Sequence, residues 1–195
     1  MSQIHTDGCG CSDHSNSTAQ TLSELEFERG LWSAAIENDV EKVKKLLNSG
    51  HDPDIKDNSG YTALHYAARA GHIIILRTLL SRGANPNSQT TSGYTTALHR
   101  AAYMGHLESI ELLLGHGACA ELTDSDGKSA LHKCAERGNY ICAKLILDNS
   151  GEKLEKLLNI KDKRGNSAYV YANEYCVKHK MGLEKWSDLL LKEMI

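Results

Sequence analysis

The dipeptide Leu-His recurs at Leu64-His65, Leu98-His99 and Leu131-His132, at intervals of 34 (99 minus 65) and 33 (132 minus 99) residues. Each copy opens with x-Ala-Leu-His and continues through Ala-Ala-x-x-Gly or a near variant, and the first two end in Leu-Leu-x-x-Gly-Ala. Three elements recurring in order and in register leave little freedom. A unit this short cannot bury its own apolar side, so copies stack on one another instead of closing a single globular core. The fullest copy, Tyr61 to Gln89, sets the pattern. Asp57-Asn58-Ser59-Gly60 supplies turn chemistry, Thr62 opens a short helix rich in small residues, Gly71 ends it, and Ile73-Ile74-Ile75-Leu76 begins a second, apolar helix that closes at Gly83-Ala84.

Weaker copies flank the central three. Val40, Val43, Leu46 and Leu47 form the apolar stripe of a helix ending at Gly50, preceded by Trp32, Ala34 and Ala35 where the later units carry their Ala pair. Thr21-x-x-Glu24 is a capping-box signature for a helix start. At the other end, Asp162-Lys163-Arg164-Gly165 restores the turn after a polar, helix-forming insertion, and Trp186, Leu189 and Leu190 share one face of the last segment. The third copy has one residue more, Thr95-Thr96, at the start of its helix, where a wider turn is expected to absorb it.

The period and its motifs resemble the ankyrin repeat over about residues 24 to 190. The resemblance implies an all-α solenoid of about five stacked helix-turn-helix units with β-hairpin-like loops, its first and last units being degenerate caps. The boundaries read as a polar tail over 1–20 and a repeat domain over 21–195, with units at about 24–56, 57–89, 90–123 and 124–150 and a C-terminal cap at 162–195. Implied too is a structural role for His65, His99 and His132, bonded to Thr62, Thr96 and Ser129 and to neighbouring units. His72 and His106, after the turn glycines, take the same reading.

Composition excludes several classes of function. A formal charge of −3 supplies no broad phosphate-neutralising face, which argues against nucleic acid as partner. The N-terminal stretch lacks the apolar segment of a signal peptide, and Ile73 to Leu76 is far too short to cross a bilayer. A cytoplasmic or nuclear monomer with six reduced cysteines is expected, and the sequon Asn16-Ser17-Thr18 is then inert. Gly115-x-Gly117-x-x-Ala120 imitates a dinucleotide fingerprint but follows a helix and opens none, and no P-loop, nucleophile elbow or HExxH pattern occurs. No cofactor and no enzymatic activity are expected.

Two binding readings remain. The resemblance implies that partners are held by hairpin tips and the exposed side of the first helices. Carried onto this chain, those positions are Asn58, Tyr61, Tyr94 and Lys128 in the hairpins and Tyr66, Arg69, Arg100, Tyr103, Met104, Lys133, Glu136 and Arg137 on the helices. Tyr, Arg and Met are enriched at interaction hot spots and interface cores, and the basic members predict an acidic or aromatic-acidic protein segment as ligand. The alternative is metal binding by His5, Cys9, Cys11 and His14. These are four potential zinc ligands within ten residues, in a spacing tighter than the usual Cys-x2-4-Cys knuckle.

Overall fold

The computed structural model describes residues 30–191. The Thr21 capping box and the four candidate metal ligands, His5, Cys9, Cys11 and His14, lie outside the described residues. Within them the chain forms helix pairs: α1 (Leu31–Ile36) and α2 (Val40–Asn48), α3 (Ala63–Ala70) and α4 (Ile73–Ser81), α5 (Ala97–Met104) and α6 (Leu107–Gly115), α7 (Ala130–Arg137) and α8 (Tyr140–Asp148). A 3-10 turn (Gly151–Lys153) and the short α9 (Leu154–Leu158) follow, then α10 (Ala168–His179) and α11 (Glu184–Leu191). First helices pack in the order α1, α3, α5, α7, α10, and second helices in the order α2, α4, α6, α8, α11. The core is the seam between these two layers.

Small residues set the spacing of the first layer. Ala67-Ala68, Ala101-Ala102 and Cys134-Ala135 are fully buried, so neighbouring helix backbones approach closely. The second layer supplies bulk through Ile75, Leu76, Leu79, Ile110, Leu113 and Ile146, each completely enclosed. The turn between layers must reverse within two residues, and Gly71 does so at φ +76, in the left-handed region open to glycine. A Cβ on Gly138, in the equivalent turn, would come within 2.1 Å of the Tyr175 ring, so glycine there is required by the next unit as well as by its own φ.

Adjacent units are joined by a repeated histidine bridge. His65 Nδ1 accepts the Thr62 backbone N–H at 3.1 Å, and its Nε2 donates 2.9 Å to the Thr95 carbonyl of the following hairpin. His99 does the same between Thr96 (3.2 Å) and the Lys128 carbonyl (3.0 Å), and His132 between Ser129 (3.2 Å) and the Asn166 carbonyl (3.2 Å). An amide can only donate and a carbonyl only accept, so each ring is the neutral tautomer protonated on Nε2. In the first unit Trp32 stands at the corresponding position and donates Nε1–H to the Ile55 carbonyl at 2.9 Å. A second line of bonds ties the helix turns together. His72 reaches the Ile36 carbonyl (3.3 Å), His106 the Arg69 carbonyl (3.0 Å) and Asn139 the Ala102 carbonyl (2.9 Å). The structural reading of all five histidines holds.

Two units depart from the regular repeat. The extra residue of the third unit is absorbed by a wider turn, as expected, and the helix start is unchanged: α5 begins at Ala97 on a Thr96 cap just as α3 begins at Ala63 on Thr62. It enlarges the hairpin, which closes from Thr90 N–H to the Thr95 carbonyl where the others span one residue fewer, as from Asp57 to Tyr61. The left-handed conformation thereby moves from the glycine to Tyr94, at φ +48. The insertion after the fourth unit forms the helix its composition suggests and packs into the stack. Leu157 of α9 is buried, and Lys153 and Lys156 grip Glu121 at 2.9 and 2.7 Å, holding its carboxyl down at about 2 through those two bonds.

Burial holds the His65 and His99 imidazoles at about 4, below their ordinary 6.5, and lowers His132 in the same direction. A depressed histidine favours the folded state above its unfolded value and loses that contribution as pH falls toward the folded one. A displacement from 6.5 to about 4 is on the order of 3 kcal/mol per ring. Thermal melts should therefore show a stable plateau above about pH 6.5 and a steep fall between there and about pH 4. A His99→Gln variant should melt lower at neutral pH with a flatter acid limb; an equally steep limb would contradict the assignment.

Candidate partner-binding surface

After His65 and His132 the next residue, Tyr66 or Lys133, faces its own hairpin. Asp57, Asp124 and Asp162, each the first residue of a hairpin, use Oδ1 to accept two loop N–H groups, those of Ser59 and Tyr61, of Asp126 and Lys128, and of Arg164 and Asn166, at 2.8–2.9 Å. Their Oδ2 atoms take a side chain from the first helix. Tyr66 donates to Asp57 at 2.5 Å, Lys133 to Asp124 at 2.7 Å and Tyr171 to Asp162 at 2.5 Å. Burial and then the Asp57 carboxylate push the Tyr66 hydroxyl well above its ordinary value. Burial works against the Asp124 carboxylate, but the Lys133 ammonium and the loop N–H donors outweigh it and hold Asp124 below its ordinary value.

The third unit breaks this pattern. Thr90 replaces the aspartate, its hydroxyl accepting only the Thr95 N–H at 3.0 Å, and Arg100 turns to the preceding unit. Its guanidinium lies over the Tyr61 ring with Cζ 5.0 Å from the centroid and donates to the Tyr61 hydroxyl. Tyr61 is also 5.6 Å from the Tyr66 ring. A second pair repeats the arrangement one unit on, with Arg137 Cζ 5.0 Å from the centroid of Tyr103. Arginine above an aromatic face is held by the ring's negative face and by dispersion while its other edge stays available.

The sequence-derived positions therefore divide. Tyr61, Tyr66 and Arg100 form one cluster and Tyr103 and Arg137 another, with Met104 and Arg69 exposed on the same helices. Lys128, Lys133 and Glu136 are half-buried and engaged within the chain. Lys128 pairs with Glu136 and lies 4.5 Å from the Tyr171 ring, and Lys133 pairs with Asp124. Asn58 is exposed on its loop, apart from the clusters. Tyr94 is not the counterpart of Tyr61 and Lys128, since Thr95 supplies the hairpin-closing carbonyl in its unit; Tyr94 stands at the loop tip, 54% exposed. Missed in the sequence were Tyr171 and the second role of the hairpin aspartates, whose Oδ2 atoms hold a first-helix side chain. Their signal was present as an Asp four residues before Tyr61, Lys128 and Asn166.

Stacked helix pairs, histidine bridges and projecting hairpins define an ankyrin-repeat solenoid. A profile for three ankyrin repeats matches residues 31–124 and a single-repeat profile matches residues 126–163, so the chain belongs to the ankyrin repeat family. Among its relatives, ankyrin repeat domain-containing protein 39 of Homo sapiens is 48% identical over 86 residues, covering 43% of this chain and 47% of that protein. The Bos taurus protein of the same name is 52% identical over 68 residues, 34% of this chain and 37% of the relative. The chain thus spans less than half the length of either. SH3 and multiple ankyrin repeat domains protein 2 of Homo sapiens is 31% identical over 160 residues, 65% of this chain and 9% of that protein. Among the described residues no group of three or more His, Cys, Asp and Glu is arranged to hold a metal ion, and no helix is long and apolar enough to cross a membrane.

A non-glycine residue in the left-handed region costs on the order of 1 kcal/mol. Tyr94→Gly should raise unfolding free energy in urea by up to about 1 kcal/mol. A loss of more than about 1 kcal/mol would mean the Tyr94 ring packs against the hairpin, since substitutions without such a packing role stay within smaller limits.

Proposed function

We propose that the chain is a non-enzymatic adaptor that holds an acidic protein segment along its first-helix face, with Arg100 and Arg137 as the anchoring cations. Ankyrin repeats are generally protein–protein interaction modules, and this reading narrows that role to a partner chemistry. The observation that carries it is the substitution at Thr90. Every other complete hairpin among the described residues gives its first-helix neighbour a carboxylate, and Arg100 alone pairs with none there. Its Nε is enclosed without a partner, and Tyr61 orients the guanidinium.

A partner's aspartate or glutamate can supply the missing charge at the free edge of that guanidinium, a charge-assisted bond stronger than a neutral one. Arg137 over Tyr103 offers a second such point, and Met104, next to Tyr103 in the chain and exposed, offers an apolar contact. Lys128 and Lys133 contribute little net attraction, because Glu136 and Asp124 already neutralise them. The ligand is therefore met by two spaced arginines on aromatic platforms.

Quantitative affinity purification from cells, comparing the parent chain with an Arg100→Glu, Arg137→Glu variant of equal thermal stability, tests this reading. Partners should fall by at least about tenfold, a typical loss for a reversed hot-spot charge, and parent complexes should weaken with salt. Thr90→Asp should weaken the same partners by supplying the carboxylate internally. Full retention by both variants would overturn the proposal.

A further inference from the structure

The C-terminal unit departs from the repeat in a way that builds a second surface, one lined by neither Arg100 nor Arg137. Helix α10 runs for 12 residues where α3, α5 and α7 run for 8, so it overshoots the level at which the other units turn. Lys180 then reverses the chain in the left-handed conformation, with the Met181 N–H bonded to the Cys176 carbonyl at 2.9 Å. The returning segment brings Met181 and Trp186 opposite the Gly138 turn and the start of α8. Between them lies a cavity of about 430 Å³.

Its floor is apolar: Trp186, Cys142 and Cys176 are all nearly enclosed, and Tyr140 meets the Trp186 ring edge-on at 5.6 Å. Its rim leaves large aliphatic side chains in water, with Ile141 66%, Met181 59% and Leu107 38% exposed. Single exposed apolar residues are ordinary, but three around one apolar pocket mark an interaction site. The charge at the pocket is one-sided. Lys185 is the charged residue that lines it, and it pairs with no carboxylate among the described residues. Helix α8 begins there with no acidic residue in its first turn and no side-chain cap, so its positive end is also uncompensated.

We propose that this pocket docks a peptide segment of a partner protein that presents one large apolar side chain with a carboxylate beside it. The apolar side chain fills the Trp186 pocket and covers the aliphatic rim, and the carboxylate meets Lys185. A second copy of this chain does not fit these features, because an isologous contact would set concavity against concavity and Lys185 against Lys185. Neither Arg100 nor Arg137 lines the pocket, so a change at Arg100 leaves it intact.

The test is to pan a displayed library of random dodecapeptides on the full chain and measure the enriched peptides in solution. Expected are sequences with Leu, Phe or Trp beside Asp or Glu, whose affinity falls by roughly tenfold or more on Ile141→Glu and several-fold on Lys185→Glu, but is unchanged by Arg100→Glu. Both pocket residues are exposed, so the variants fold, which thermal melting verifies. The proposal is overturned if no peptide is enriched over the Ile141→Glu chain, or if the enriched peptides respond to Arg100→Glu and ignore Ile141→Glu. It is equally overturned if the parent self-associates and Ile141→Glu abolishes that, which would make a second copy the occupant.

Discussion

The stack depends on a neutral imidazole held between two units. His65, His99 and His132 each fix their own helix start through Nδ1 and the next hairpin through Nε2. In a solenoid, each unit contacts only its neighbours, so order propagates through such interfaces and not through a common core. A buried donor and acceptor satisfied on both sides stabilises modestly, but leaving either unmet inside the stack is costly. That asymmetry explains why the ring is the same in three successive units, and why Trp32, an indole with an N–H donor, can replace it in the first described unit.

Once the hairpins are fixed, the fourth residue of the first helix becomes the variable part of the surface: Tyr66, Arg100 and Lys133 after the bridging histidines, and Tyr171 after Val170. Where the hairpin opens with aspartate, Tyr66, Lys133 or Tyr171 is drawn in and its polarity is spent inside the chain. Where it opens with threonine, Arg100 is released to the neighbouring tyrosine. Departures from the repeat thus generate what distinguishes one stack from another. The longer α10 follows the same logic at the C-terminal end, where an overshoot of four residues (12 minus 8) creates a pocket that no regular unit would have.

The scaffold was legible because its determinants are local or periodic. The Leu-His interval, the Ala pairs, the turn glycines and the apolar second helices each announce themselves within one unit, and the described helices begin at the residues those motifs mark. The surface was less legible. Lys128 and Lys133 read as free cations in the sequence, because nothing in a linear string shows that Glu136 and Asp124 meet them. Tyr94 aligned with Tyr61 by letters, yet the inserted residue was absorbed by the hairpin. A loop can add a residue at small cost, whereas a capped helix packed on both sides cannot.

The sequence by itself determined the architecture: a repeated unit too small to bury its apolar face has to stack, and the spacing of its motifs fixes how. Only the tertiary structure decided which side chains are left to bind. Availability depends on what the adjacent unit offers. Arg100 is free because Thr90 is not an aspartate and Tyr61 lies one unit away, and the Trp186 pocket exists because α10 outruns its neighbours. Such pairings join residues about one repeat apart through space, where Coulombic and packing forces act and sequence order does not.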